Sequence, residues 1–164
     1  MIYRLATIED LISVWDKDIE RHLEDNRYIR WKKEYLDYNN KGEAATFVAV
    51  DNKEVVAQIT VILKTNVKAV LGKELLCDGK KIANMNAFRC DKKYEGQGHI
   101  SKLVKMGEEY ARSLGYTHMS IGSEARESRN LAIYLHFGYT EFIMSEVYDE
   151  EEDRPLVLYY KKKL

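Results

Sequence analysis

The sequence has one proline, two cysteines and a net charge of −1 over 164 residues, and each shortage removes a class of protein from consideration. Cys77 and Cys90 form no CxxC and no Cys/His pair at metal-ligand spacing, so neither a disulfide framework nor a metal site is expected, and a reducing cytoplasm fits. The 26 basic and 27 acidic side chains nearly cancel, so the charge balance asks for neither nucleic acid nor an anionic membrane as partner. No apolar run approaches the ~18 residues of a membrane span. The start, "MIYRLATIEDL", lacks the basic residues and long apolar middle of a signal peptide. What is present is 45% hydrophobic residues, enough to bury the core of one α/β domain over residues 1–164.

Hydrophobic periodicity divides the chain into alternating elements. "IYRLA" reads as a strand. Thr7 and Asp10 make a capping signal for a helix with an apolar face of Ile8, Leu11, Trp15, Ile19 and Leu23, and a second helix carries Tyr28, Trp31 and Tyr35. "ATFVAV" and "VVAQITVILK" flank "DNKE" as a hairpin. Residues 65–80 show no clear pattern, and "KIANMNAFRC" reads as a longer, more internal strand. From Gly98 the positions Ile100, Leu103, Val104, Tyr110, Ala111 and Leu114 trace a helix face that Gly115 stops. "HMSIGS" is a strand and "SRNLAIYLHF" a short helix stopped by Gly138. "EFIMSEV" and "LVLYYKK" are strands joined by the acidic "DEEED", with Pro155 where the last one starts. The order β-α-α-β-β-β-α-β-α-β-β implies a mixed sheet covered by helices.

The stretch "YEGQGHISKLV" places Gly96 and Gly98 between a strand and a helix. Such a turn offers unpaired backbone N–H groups and the positive end of the helix dipole, and glycines let a phosphate come close to the main chain. A nucleotide P-loop needs Lys-Ser or Lys-Thr after the last glycine, where His99 and Ile100 stand, and a dinucleotide fold wants glycine where Ser101 sits. A tight turn with no ligand remains the alternative on spacing alone.

The longer segment "FRCDKKYEGQGHISKLV" resembles motif A of the GNAT superfamily of acyl-CoA-dependent N-acyltransferases, in which a hydrophobic-x-hydrophobic strand end, here Phe88 and Cys90, precedes an Arg/Gln-x-x-Gly-x-Gly/Ala turn. "NLAIYLHFGYTEF" is similar to the superfamily's second motif, with Tyr134 four residues before the Gly138-Tyr139 pair. Two positions depart from the pattern: Glu95 replaces the usual Arg or Gln, and Ile100 the usual small residue. The resemblance implies a GNAT-like single domain, a mixed, mostly antiparallel sheet of about seven strands flanked by about four helices. It also implies acetyl-CoA as acyl donor, without a metal, held by Phe88, Arg89, Cys90, Glu95, Gly96, Gln97, Gly98, His99, Ile100, Ser101 and Asn130, with Lys92, Lys93 and Lys102 able to offset the charge of Glu95.

Acyl transfer from a thioester to an amine needs a neutral amine, a polarised carbonyl and a proton for the departing thiolate. Tyr134 is the candidate general acid, by chemistry and by resemblance, against the alternative of a packed core tyrosine. The resemblance assigns the oxyanion donor to a backbone N–H near the Phe88 to Cys90 strand end, and no adjacent base suggests Cys90 as a nucleophile. Asn84 and Asn86 can orient an amine but cannot take its proton. Glu124, with Glu127 beside it, is the candidate base, directly or through water, against the commoner solvated loop carboxylate. His22, His99, His118 and His136 show no metal or triad spacing, although His99 is placed to meet a phosphate, with an ordinary surface histidine as the alternative.

In the superfamily the first helices and the last hairpin wall the acceptor site, and both are acidic here, with Asp16, Asp18, Glu20, Glu24 and Asp25 in one and Glu146, Asp149, Glu150, Glu151, Glu152 and Asp153 in the other. The expected acceptor is a small cationic amine. A non-catalytic acyl-CoA sensor or interaction module is the alternative function, and apolar strand edges in the tail are compatible with a homodimer.

Overall fold

The computed structural model describes residues 1–149 and 151–164, so Glu150 of the acidic hairpin lies outside the described residues. Seven strands and four helices follow the expected order: β1 (Ile2–Leu5), α1 (Ile8–Arg21), α2 (Arg27–Asn40), β2 (Ala44–Asp51), β3 (Glu54–Ile62), β4 (Ile82–Cys90), α3 (His99–Ser113), β5 (His118–Glu124), α4 (Ser128–His136), β6 (Glu141–Val147) and β7 (Leu156–Lys163). Hydrogen bonding joins the strands in the order β1-β2-β3-β4-β5-β7-β6. The pairs β1·β2, β2·β3, β5·β7 and β6·β7 are antiparallel, and β4·β5 is parallel. The chain divides into two compact units, residues 1–62 with 87–107 and residues 63–86 with 108–164, so β4 and α3 each run through both.

In the first unit the local signals act as expected. Thr7 caps α1 while Asp10 returns the bond to the Thr7 N–H, satisfying two donors that a helix end otherwise leaves open. Asn52 and Lys53 both take left-handed conformations, φ 48° and 68°, between β2 and β3, the geometry of a two-residue turn whose twist matches the flanking strands. Both strands are buried almost throughout, which accounts for their unbroken apolar runs. Their buried polar cross-strand pair, Thr46 opposite Thr60, is satisfied by a hydroxyl–hydroxyl bond of 2.8 Å.

The face of α1 differs from its expected pattern. Leu11, Val14, Trp15 and Asp18 are the buried positions, while Leu23 lies beyond the helix end and is exposed, as is Ile8. A carboxylate can occupy the fourth buried position because the Arg89 guanidinium pairs with it, a pairing between residues 71 apart that no local periodicity can reveal.

In the second unit, residues 65–80 form a loop with a single turn of 3-10 helix at Lys68–Val70. Val67, Val70, Leu76 and Cys77 are buried, and Asp78 Oδ1 accepts the N–H groups of Lys80, Lys81 and Ile82. Gly122 lies opposite Tyr159, and a Cβ there would sit 2.5 Å from the tyrosine ring, so glycine makes room for the aromatic. Leu114, expected on the α3 face, is exposed beyond the helix end.

An ion pair between a half-buried lysine and a buried carboxylate anchors the end of β7. Glu108 accepts from Lys162 Nζ at 2.9 and 3.1 Å and from the Tyr139 hydroxyl at 2.9 Å, and Lys162 also donates to the Phe137 carbonyl. Burial and the neighbouring Glu108 charge push the Tyr139 phenol far up, so it stays a donor. Removing one partner leaves the other charge buried and unpaired. Lys162→Met is therefore expected to destabilise the protein by about 3 kcal/mol, with part of the loss recovered in Glu108→Gln/Lys162→Met, measured by urea unfolding.

Candidate active site

The first unit contains the glycine turn and the end of β4. The segment leaves β4 at Cys90, makes a 3-10 turn over Lys92–Tyr94 and enters α3 at His99. Gly96 and Gly98 have φ of 73° and 81°, and a Cβ built on either meets nothing within 4 Å. Glycine is required here for backbone conformation, since a left-handed L-residue costs roughly 1–2 kcal/mol. The first α-helical bond after the turn runs from the Lys102 N–H to the Gly98 carbonyl, so the N–H groups of His99, Ile100 and Ser101 have no acceptor within the helix. Together with the exposed glycines they form an open cradle at the positive end of a 15-residue helix, suited to an anion.

The side chains around the cradle take distinct roles. Glu95 and Gln97 are exposed, and Gln97 Nε2 donates to the Lys93 carbonyl. Lys102 Nζ sits 4.0 Å from the Tyr3 ring centroid and Lys93 Nζ 4.9 Å from that of Tyr94. His99 is 7% exposed. Its Nδ1 shares a 2.7 Å hydrogen bond with the Tyr3 hydroxyl, its ring lies between Tyr3 and Tyr94, and its Nε2 is buried without a partner. The histidine is thus part of the packing under the turn, where the sequence left a surface role open.

At the end of β4 the backbone departs from strand geometry. Pairing with β5 runs from Ile82↔His118 to Met85↔Ile121, and two residues further on Ala87 has φ 52°, uncommon for a residue with a Cβ. Its carbonyl accepts from Gln58 Nε2 at 3.1 Å and Arg89 Nη1 at 3.4 Å. Arg89 pairs with Asp18 and lies 4.1 Å over the Trp15 ring, so its side chain is committed to α1. A cavity of about 250 Å³ opens beside this segment, lined by Lys17, Asp18, Gln58, Arg89 and Asp91 among others. Cys90 is half-buried, and burial, then the charges of Glu95 and Asp91, push its thiol up, the opposite of what a nucleophile needs.

The second unit contains the expected acid, base and amide residues. Tyr134 lies on α4, partly exposed as a whole, with its phenol pushed up to about 12 by burial. Asn130 is exposed in the first turn of the same helix. Asn84 is buried and donates to Ser120 Oγ at 2.8 Å, while Ser120 Oγ donates to the Leu76 carbonyl at 2.6 Å. That amide therefore joins two strands and a loop. Asn86 keeps a buried, unpartnered Oδ1. Glu124 accepts from Arg126 Nε at 2.6 Å, and Arg126 also pairs with Asp153 and Glu151, so this carboxylate is held in an ion-pair cluster while Glu127 is exposed. Among the described residues no group of three or more His, Cys, Asp and Glu side chains is arranged to hold a metal ion.

Ala87, Gln58 and the Asp18–Arg89 pair did not emerge from the sequence. Alanine carries no mark of a left-handed strand residue, and the one local sign is that the polar–apolar alternation of "NMNAFRC" breaks where Ala87 and Phe88 follow each other. The acidic residues, in contrast, were evident, and their partners were not. Asp16 pairs with Lys32, Asp18 with Arg89, Asp25 with Arg27 and Asp149 with Arg154, while Glu146 accepts from both Lys73 and Tyr159.

Over residues 8–139 the chain matches the family model described as the acetyltransferase (GNAT) family. Among solved structures, ribosomal-protein-alanine N-acetyltransferase from Brucella melitensis is similar over the full length of both chains, with 16% identity and a TM-score of 0.73. A structure of yncA from Salmonella typhimurium with its cofactor acetyl-CoA covers 100% of this chain and 94% of its own, at 13% identity and a TM-score of 0.70. An aminoglycoside 6'-N-acetyltransferase complexed with coenzyme A covers 99% and 97%, at 13% identity and a TM-score of 0.67. At these identities the structures speak to the fold. No curated protein matches the sequence significantly.

Because nothing crowds a Cβ at Gly98, substitution there isolates the conformational cost. Gly98→Ala is expected to lower stability by about 1–2 kcal/mol and Gly98→Asn by less, since asparagine visits the left-handed region more readily. Thermal or urea unfolding of the two variants checks the ranking.

Proposed function

The chain belongs to the GNAT acetyltransferase family, and we propose that it moves an acetyl group from acetyl-CoA to the primary amine of a small acceptor by direct attack, without a covalent enzyme intermediate. The observation that carries this reading is the pair of left-handed glycines opening α3 directly after the bent end of β4. Bound acetyl-CoA supplies the acetyl group already activated as a thioester. The protein binds, orients and handles protons around it.

In this reading the N–H groups of His99, Ile100 and Ser101 bind the diphosphate. These donors belong to the main chain, so the departure at Glu95 leaves them in place, and the exposed Glu95 side chain can face solvent. The Phe88 N–H donates to the thioester carbonyl oxygen. In a trans peptide the C=O and the following N–H point in opposite directions, and the Ala87 carbonyl is turned toward Gln58 and Arg89, so the Phe88 N–H faces away from both. Tyr134 holds a proton on its hydroxyl for the departing sulfur. The attacking nitrogen loses its proton to water or to a carboxylate. Glu124 can serve only by leaving its ion pair with Arg126, which favours water relayed through Asn86, whose buried Oδ1 can accept a hydrogen bond.

The acceptor's charge is less constrained than the acidic segments suggested. With most of those carboxylates paired, the field they project is reduced, so neutral and zwitterionic amines belong beside cationic ones in any screen.

The test is thiol release from acetyl-CoA across spermidine, kanamycin and a short peptide with a free amino terminus, beside coenzyme A binding by calorimetry. Turnover with at least one amine supports the reading, and coenzyme A binding without turnover supports the acyl-CoA sensor instead. Tyr134→Phe is expected to lower kcat by roughly 10²- to 10⁴-fold with little change in coenzyme A affinity. The Tyr134 phenol is raised to about 12, so it stays protonated through the working range. The rate should therefore rise with pH as the amine loses its proton, then level off, with no alkaline fall below about pH 11. A descending limb near pH 9–10 in the wild type, absent in Tyr134→Phe, would contradict the assigned environment.

A further inference from the structure

We propose that Gln58 and Arg89 are positioning residues that hold the Ala87–Phe88 peptide in the orientation acetyl transfer uses, an inference that rests on the acetyltransferase reading above. Ala87 adopts φ 52° within a strand, a conformation that an L-residue leaves readily unless its surroundings over-determine it. Two side-chain donors converge on its carbonyl, Gln58 Nε2 at 3.1 Å and Arg89 Nη1 at 3.4 Å. Neither is free to swing. Gln58 is 1% exposed in the middle of β3. Arg89 pairs with Asp18, itself 6% exposed, and lies against the face of Trp15.

These contacts make a continuous connection from α1, through Asp18 and Trp15, to Arg89 and then to one peptide of β4. Because the Ala87 carbonyl is held, the Phe88 N–H of the same planar peptide is aimed at the opposite side. A guanidinium next to the carbonyl also polarises the amide, which strengthens the N–H on its far side as a donor. Donors fixed before charge develops are those that contribute most to stabilising a transition state. Gln58 and Arg89 would thus affect the rate through Phe88 while contacting neither reactant.

The experiment compares wild type, Gln58→Leu and Arg89→Lys, using acetyl-CoA, the best amine of the panel, and coenzyme A for binding. Gln58→Leu keeps the volume and removes the donor, and is expected to lower kcat by about 10- to 100-fold, with the coenzyme A dissociation constant unchanged within about twofold. Arg89→Lys keeps a charge for Asp18 but loses the planar fork, and a fall of about 5- to 10-fold is expected. Adding Ala87→Gly to Gln58→Leu should recover part of the lost kcat, since glycine takes φ 52° without strain, whereas a packing defect at Gln58 would not be relieved. The Ala87 φ in a crystal structure of Gln58→Leu, expected to leave the left-handed region it occupies at 52° in wild type, reads the same clamp without turnover. Full kcat in both variants, loss of kcat and coenzyme A affinity in equal measure, or an unchanged Ala87 φ in Gln58→Leu would each overturn the inference while leaving the acetyltransferase reading intact. A wild type that binds no coenzyme A would instead remove that reading.

Discussion

A single rotated peptide, the one between Ala87 and Phe88, is the constraint on which the candidate site depends. A β-strand alternates its carbonyls and N–H groups between two neighbouring strands, so every donor in a regular ladder is already engaged. Making one available to a substrate requires the strand to part from a neighbour, and β4 parts from β5 after Met85, just before φ turns positive at Ala87. The strain has to be offset by other contacts. In this chain they come from β3, through Gln58, and from α1, through the Arg89–Asp18 pair.

The glycine turn solves a related problem by the opposite route. Gly96 and Gly98 adopt their left-handed conformations without strain, so the loop needs no clamp, and its side chains are mostly exposed. On the proposed reading, the departures at Glu95 and Ile100 are compatible with cofactor binding because of this division. An anion cradle made of backbone donors depends on φ and ψ at two glycines and on the start of a helix, while the residues between them vary within the limits of charge.

How much of this could be read from the sequence depends on whether the cause was local. Thr7 and Asp10, the Asn52–Lys53 turn, Gly115 and Gly138 act within a few residues, so the elements and their order follow from pattern and turn chemistry. The glycine cradle is local too, and Tyr134 is carried by a motif. The remainder rests on partners distant in sequence. Asp18 was assigned to an acidic surface and is buried because Arg89 reaches it. Asn84 was read as able to orient an amine, and its buried amide donates to Ser120 Oγ, which donates on to the Leu76 carbonyl. His99 was left between phosphate and solvent and packs with Tyr3 and Tyr94. Each case concerns a polar residue whose role is set by what lies across a strand or helix, and polar residues can be buried only when such a partner exists.

The same reasoning limits what the acidic residues say about the acceptor. A run of carboxylates in a sequence implies a negative surface only if no cation is held against it, and here Lys32, Arg27, Arg89, Lys73, Arg126 and Arg154 are so held. Most of these pairs are partly exposed, where each is worth little for stability, yet pairing still cancels their long-range field. On the proposed acetyltransferase reading, acceptor choice then depends less on overall charge than on short-range fit. Short-range fit distinguishes amines by where their other polar groups fall, so two acceptors of equal charge need not be equal substrates.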